Sequence, residues 1–124
     1  MKLHFIIIIT VLTSCKSNVS SIDNNRQLLK EFAYCKCIEN ANLDSNVLKN
    51  DISISVYQEI SNYNSEVYAE IESAAIKFAK NIKPTILSDH RNKKTVFLDC
   101  FAFYKSKSLD SLIKRMDKKV EDNW

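Results

Sequence analysis

The sequence contains no glycine and a single proline among its 124 residues. The tight turns of β-hairpins need positive φ angles, which glycine adopts most readily, so hairpins are poorly supported. Glycine-rich phosphate-binding loops and dinucleotide-binding fingerprints are excluded for the same lack. The composition therefore favours helices.

Groups that could catalyse a reaction are also scarce. There are two histidines, no serine nucleophile elbow, and no pair of carboxylates at a convincing spacing. The formal net charge is only +3, and no dense basic patch carries interleaved aromatic residues, so nucleic acid is not an expected partner. We predict a protein that is not an enzyme and that needs no cofactor.

The N-terminus has the pattern of a bacterial lipoprotein signal. Lys2 precedes an apolar run over residues 5–12, which is too short to span a bilayer permanently and is typical of a signal peptide. The run ends in Leu-Thr-Ser-Cys, which resembles a lipobox, so residues 1–14 are the predicted signal peptide and Cys15 the predicted lipidation site. An ordinary signal peptide, with Cys15 at the boundary by chance, is the alternative.

Cleavage would leave a mature chain whose only histidine is His90. Residues 15–24 are mostly polar and are predicted to tether the lipid to a folded domain. Lys16, and not an aspartate, follows Cys15, which resembles the signal that sorts lipoproteins to the outer membrane. We therefore expect a periplasmic protein anchored to the outer membrane of a Gram-negative bacterium.

Hydrophobic periodicity predicts one all-α domain over residues 25–124, a small bundle of about five helices. The predicted helices cover residues 25–42, 45–62, 65–83, 96–104 and 108–120, with Ser65 and Ser108 at the starts of the third and fifth. Pro84 ends the third helix.

The predicted core follows the apolar face of each helix. In the second helix, Leu48, Ile52, Val56 and Ile60 recur at every fourth residue and are expected to be buried. The clearest faces are those of the third and fifth helices, which comprise Val67, Ile71, Ala74, Ala75, Phe78, Ile82, Leu109, Leu112, Ile113, Met116 and Val120.

The fourth predicted helix is rich in aromatic residues. Phe97 and Phe101 share one side of it and are assigned to the core. Phe103 points elsewhere, and together with Tyr57 or Tyr63 it is a candidate for an exposed interaction surface.

Three cysteines follow the lipobox: Cys35, Cys37 and Cys100. A zinc site needs about four ligands, and helix positions i and i+2 point about 200° apart, so Cys35 and Cys37 cannot easily serve one metal or redox centre. Thiols tend to pair in an oxidising compartment. We therefore expect a structural disulfide to Cys100, although the helical wheel does not decide between Cys35 and Cys37.

Two segments resemble motifs of the type VI secretion amidase immunity proteins. The first is FAxxxCIxxA, residues 32–41, and the second is LDCFxxYxSxxLDxL, residues 98–112. The resemblance covers about residues 26–118, although Cys35 and the lipobox are additional and glycines expected between the motifs are missing. With Cys37 and Cys100 inside the two motifs, we predict a Cys37–Cys100 disulfide, worth on the order of 4 kcal/mol in the chain-entropy model.

The resemblance implies a helical periplasmic protein, usually a homodimer, that binds and blocks a peptidoglycan amidase delivered by a neighbouring cell. In such proteins a connecting loop enters the enzyme's active-site groove, while a helix of the dimer adds apolar contact. The candidate loop here is Pro84–Lys93, and its tip consists of Ser88, Asp89, His90 and Arg91.

Two other interpretations remain open at this stage. One is an envelope lipoprotein with a structural or adaptor role, and the other is a thiol–disulfide partner that uses Cys35 as a reactive thiol. His90 follows Asp89, but an isolated loop histidine is not expected to be catalytic.

Overall fold

The computed structural model describes residues 17–41 and 48–120, which contain five α-helices and two short 3-10 helices. The α-helices are α1 (Ser17–Asn40), α2 (Ser53–Ile60), α3 (Ser65–Lys80), α4 (Val96–Tyr104) and α5 (Lys107–Met116), and the 3-10 helices are Ser88–His90 and Asp117–Lys119. The described residues form no strand, only an isolated bridge between Tyr63 and Val120. The predicted all-α fold is confirmed.

The predicted signal peptide and Cys15 lie outside the described residues. Helix α1 begins at Ser17 and not at Asn25 as predicted, so most of the predicted tether is helical. Residues 21–24 are exposed, and the first residue of the core is Leu29. The early turns of α1 therefore extend the helix beyond the core.

Helix α1 is the centre of the core. Leu29, Phe32 and Cys37 are fully buried on one side of it. The Phe32 ring meets the Tyr68 ring of α3 edge to face, with the centroids 5.2 Å apart. One turn further along, Lys36 pairs with Glu72 of α3 at 2.7 Å. Because both pairs advance together along the chain, α3 runs parallel to α1.

A disulfide between Cys37 and Cys100 joins α1 to α4, with the Cα atoms 5.7 Å apart. The pairing is the one predicted. At the other end of α4, the Tyr104 ring lies 4.9 Å from the Lys30 ammonium. Helix α4 therefore runs antiparallel to α1, and the residues that precede α4 lie at the C-terminal end of α1.

Helix α5 closes the bundle and is tied to the beginning of α1. The Arg26 guanidinium donates from Nε to Asp117 Oδ2 at 3.1 Å, and the Tyr63 hydroxyl donates to Asp117 Oδ1 at 3.5 Å. Burial, followed by the nearby Asp117 carboxylate, raises the pKa of Tyr63 to about 12. Lys30 adds a second ion pair, to Asp110 of α5, at 2.8 Å.

The predicted start of α3 at Ser65 is correct, and the predicted start of α5 at Ser108 is one residue late; in both helices the capping side chain precedes the first helical residue. The Asn64 side chain accepts a hydrogen bond from the Val67 backbone N–H at 3.2 Å, so Asn64, not Ser65, caps α3. Ser106 accepts from the Leu109 N–H at 3.2 Å and caps α5, where Ser108 was expected.

The predicted apolar series of the second helix is wrong for three of its four residues, while Leu48 packs against the core. Ile52, Val56 and Ile60 are 70%, 39% and 53% exposed, and α2 buries no residue. The side that packs against the core carries Ile54 and Tyr57. Positions two apart on a helix point in nearly opposite directions. Because Ile54 packs against the core, Ile52 and Val56 face the solvent.

The assignments of the α4 aromatic residues are reversed. Phe103 is 5% exposed and stacks on Phe78 of α3 with the centroids 4.7 Å apart, whereas Phe97 and Phe101 are 57% and 45% exposed. The bond from Cys100 to α1 fixes which side of α4 faces inward, and Phe103 lies on that side, one turn away. Tyr63, another surface candidate, is buried.

Candidate functional site

The connection between α3 and α4 contains the candidate loop, residues 84–93, whose backbone is closed by its own hydrogen bonds. At the base, the Thr85 N–H donates to the Lys93 carbonyl at 2.7 Å. Within the loop, the Leu87 N–H donates to Thr85 Oγ1 at 3.2 Å, and the His90 N–H donates to the Leu87 carbonyl at 3.0 Å. These bonds close the loop, which lies at the C-terminal end of α1.

A sharp turn completes the loop without glycine. Asn92 has a φ of 69°, in the left-handed region, and directly after it the Lys93 N–H donates to the His90 carbonyl at 3.0 Å. Asparagine tolerates this region better than most residues that carry a Cβ. Asn92 therefore takes the role that glycine has in many turns.

The structure brings the four predicted tip residues together on the outside of the molecule. Ser88, Asp89, His90 and Arg91 are all exposed, and the first three form the 3-10 helix. Ser88 Oγ donates to Asp89 Oδ1 at 3.4 Å, while within the described residues the side chains of His90 and Arg91 have neither a hydrogen bond nor an ion pair. The tip therefore exposes polar and charged groups.

The loop also presents two apolar residues that sequence reasoning missed. Ile86 is 95% exposed and Leu87 is 61% exposed. Their exposure could have been predicted, because they are a pair of apolar residues in a polar connection shortly after Pro84. They belong to no helical periodicity that could bury them. They lie between the closed base of the loop and its tip.

An exposed apolar surface follows directly on α4. It consists of Phe97, Leu98 and Phe101, which are 57%, 67% and 45% exposed, and we call it the α4 face. The Phe101 ring stacks on Tyr104 with the centroids 5.6 Å apart, and the Lys105 ammonium lies 4.3 Å from its centroid. Contiguous exposed apolar side chains of this kind mark interaction surfaces.

The profile of one protein family matches the chain over residues 27–113. Its description is "Type VI secretion system (T6SS), amidase immunity protein", abbreviated Tai4. The matched range includes the core of α1, the disulfide, the candidate loop and α4. The chain belongs to the T6SS amidase immunity family. No curated protein and no solved structure matches it significantly.

Membership of the immunity family gives the chain a general role and a compartment. T6SS amidase immunity proteins are periplasmic, and they are inhibitors and not enzymes. Across residues 17–41 and 48–120, no group of three or more histidine, cysteine or acidic side chains is placed to hold a metal ion. None of the helices in these residues is long and apolar enough to cross a membrane.

The free thiol of this immunity protein, Cys35, lies on α1 beside a cavity. Cys35 is half-buried and lines a cavity of about 320 Å³ between α1, the start of α2, and Phe97. Burial, reinforced by the carboxylates of Asp51 and Glu31, raises the pKa of Cys35 to about 11. A thiol with a raised pKa is a poor nucleophile near neutral pH, which disfavours the redox interpretation.

Proposed function

We propose that this protein binds a T6SS peptidoglycan amidase effector in the periplasm and blocks it by placing the candidate loop in the active-site groove. Family membership supplies the class of partner. The observation that carries the assignment of the loop is its closed and outward-facing form, in which Thr85 and Lys93 are hydrogen-bonded at the base and all four tip residues are exposed.

A closed loop suits an inhibitor because its backbone is ordered before binding. A loop that must be ordered on contact loses affinity to the entropy of ordering, and pre-organisation removes much of that cost. The disulfide contributes here too, since it fixes Cys100 against α1 only a few residues after the loop ends. Inhibition would follow from occupation of the groove and needs no catalytic group.

The direct test is an assay of peptidoglycan hydrolysis. The amidase encoded beside the gene for this chain is mixed with the purified full chain in detergent, and peptide release from isolated cell walls is measured. We expect complete inhibition at an equimolar ratio. An amidase that keeps its activity with excess protein present would refute the proposal.

The loop assignment is tested with two matched triple variants. A variant with alanine at Asp89, His90 and Arg91 should weaken inhibition by about 30-fold or more, since hot-spot truncations cost about 2 kcal/mol or more. The control changes Ser111, Lys114 and Lys118, which are exposed on and just beyond α5, and should alter inhibition less than about twofold. Equal inhibition by the two variants would move the contact away from the tip.

We also propose that the protein is a homodimer in which a second copy covers the α4 face. Two features support this: the immunity family that the chain resembles is usually dimeric, and three large apolar side chains are exposed on a single short helix. Light scattering of the purified protein should give twice the mass of the monomer. Leu98→Glu should yield monomers, whereas Ile52→Glu, at a similarly exposed site on α2, should not. A monomeric wild type would refute the dimer.

A third part of the proposal concerns the anchor. We infer that Cys15 carries the lipid that holds the protein to the outer membrane. Its support is the lipobox, in which Cys15 directly follows Leu12, Thr13 and Ser14. Cys15→Ser should abolish fatty-acid labelling and membrane fractionation, while Cys35→Ser should preserve both. Labelling of the Cys15→Ser protein would contradict the assignment.

A further inference from the structure

The charge around the candidate loop identifies the kind of surface that the loop fits. We propose that the partner's groove is acidic at its rim and that residues 80–94, the basic segment, steer the loop into it. The inference rests on the proposed function and goes further, because it assigns an electrostatic character to the partner.

The basic segment is a strongly charged stretch of the chain. Its basic residues are Lys80, Lys83, Arg91, Lys93 and Lys94, and all five are exposed. Asp89 is the only acid among them, so with His90 neutral the segment has a net charge of +4. The entire chain has a net charge of +3, so the remainder is slightly acidic. Residues 105–119 carry the same net charge, with six basic and two acidic residues, so the basic segment is one of two positive stretches and is the one that contains the loop.

These charges are not used to hold the fold together. None of the five forms an ion pair within the described residues, and none has a side-chain hydrogen bond there. The basic side chains of α1 behave differently: Arg26, Lys30 and Lys36 each pair with a carboxylate on another helix, at 2.5, 2.8 and 2.7 Å. A local excess of unpaired charge costs self-repulsion and becomes favourable when an acidic partner arrives.

An anionic membrane is the other surface that could attract such a segment, and the geometry disfavours it. The predicted lipid anchor precedes the N-terminal end of α1, whereas the loop lies at the C-terminal end. A helix of 24 residues is about 36 Å long, several times the Debye length of about 8 Å at physiological salt. If the anchor holds the first end at the bilayer, the basic segment lies beyond effective attraction by the headgroups.

The neighbouring apolar side chains also favour a protein groove. Ile86 and Leu87 are exposed between Lys83 and Arg91. An interface with an apolar centre and a charged rim is the usual arrangement between proteins. In that arrangement the apolar pair would enter the groove, and the basic residues would face the acidic rim.

The test compares two double variants that remove the same charge. Lys93→Gln with Lys94→Gln removes two charges from the basic segment, and Lys114→Gln with Lys118→Gln removes two exposed charges elsewhere. Association of the full chain with the neighbouring-gene amidase is followed at salt concentrations from about 0.02 to 0.3 M, a range over which screening changes strongly. We expect the first variant to associate about tenfold more slowly at low salt and the second less than twofold.

The outcomes separate this inference from the proposed function. If the wild type neither binds nor inhibits the amidase at any salt concentration, the proposed function fails and the inference fails with it. If the wild type inhibits but its association is insensitive to salt, or both double variants slow it equally, only the acidic rim is refuted.

Binding to lipid vesicles tests the alternative that the basic segment contacts a membrane. The Cys15→Ser chain is mixed with phosphatidylglycerol–phosphatidylethanolamine vesicles, and we expect no binding that depends on Lys93 and Lys94. Vesicle binding that is lost in the Lys93/Lys94 variant would assign the segment to the membrane and overturn the proposal.

Discussion

Helix α1 and the basic segment use the same kinds of side chain in opposite ways. On α1, apolar residues such as Phe32 are fully buried and basic residues such as Lys36 are paired. In the basic segment, Ile86 is almost fully exposed, and Lys93 pairs with no carboxylate of residues 17–41 and 48–120. The comparison separates the part of the chain that maintains the fold from the part that is available for recognition.

The comparison predicts that an identical kind of deletion will have very different effects in the two regions. Phe32→Ala should lower the free energy of unfolding by about 3–5 kcal/mol, because it leaves a cavity between α1 and α3. Ile86→Ala should leave the unfolding free energy almost unchanged and weaken inhibition of the amidase. Urea unfolding and the hydrolysis assay measure the two effects. A large stability loss in Ile86→Ala would mean that the loop is part of the core.

A second prediction compares Cys37, which is in the disulfide, with Cys35, which lies two residues earlier and is free. Replacing Cys37 and Cys100 with serine should lower the free energy of unfolding by up to about 4 kcal/mol, since the bridge restricts a long segment of the unfolded chain. Cys35→Ser should change the unfolding free energy by less than about 1 kcal/mol, because Cys35 is only half-buried and unbridged. Urea unfolding without reductant tests both. If the stability order were reversed, the Cys37–Cys100 pairing would be wrong.

Much of this architecture could be predicted from the sequence, for a physical reason. Helices α3 and α5 carry apolar residues at helical spacing along one side, so their inward faces were correctly predicted around Ile71 and Ile113. The apolar residues of α2 and α4 did not indicate the inward face in this way. Helix α4 has large apolar residues on most of its sides, and only the bond between Cys100 and Cys37 decides which side is inward.

The candidate loop, too, could be predicted only in part from the sequence. Pro84 and the polar residues after it located the loop, but no sequence pattern specified that the Thr85 N–H would bond the Lys93 carbonyl. The concentration of unpaired charge was equally hidden. Whether a lysine is paired depends on which helix lies opposite, as Lys36 and Glu72 show, and that is a property of the packed bundle.

A third comparison concerns two aspartates. Asp117 accepts from Arg26 and Tyr63 in a partly buried network between α1 and the end of α5, and Asp117→Ala should cost about 1–2 kcal/mol of stability. Asp89 is exposed at the loop tip, so Asp89→Ala should leave stability unchanged while it alters inhibition. Urea unfolding at neutral pH, repeated at high salt, distinguishes them. Equal stability of the two variants would show that the Arg26–Asp117 pair contributes nothing measurable.

The smallest predicted effect tests whether the loop is truly held in one conformation. Asn92 has a positive φ angle, which alanine adopts less readily, so Asn92→Ala should cost about 1 kcal/mol. Glycine adopts the same φ angle readily, so Asn92→Gly should lower the free energy of unfolding by about a few tenths of a kcal/mol at most, because glycine raises the entropy of the unfolded chain. If the closed conformation matters for recognition, inhibition should weaken in Asn92→Ala and be nearly retained in Asn92→Gly. Indistinguishable alanine and glycine variants would indicate that the partner, and not the turn at Asn92, orders the loop.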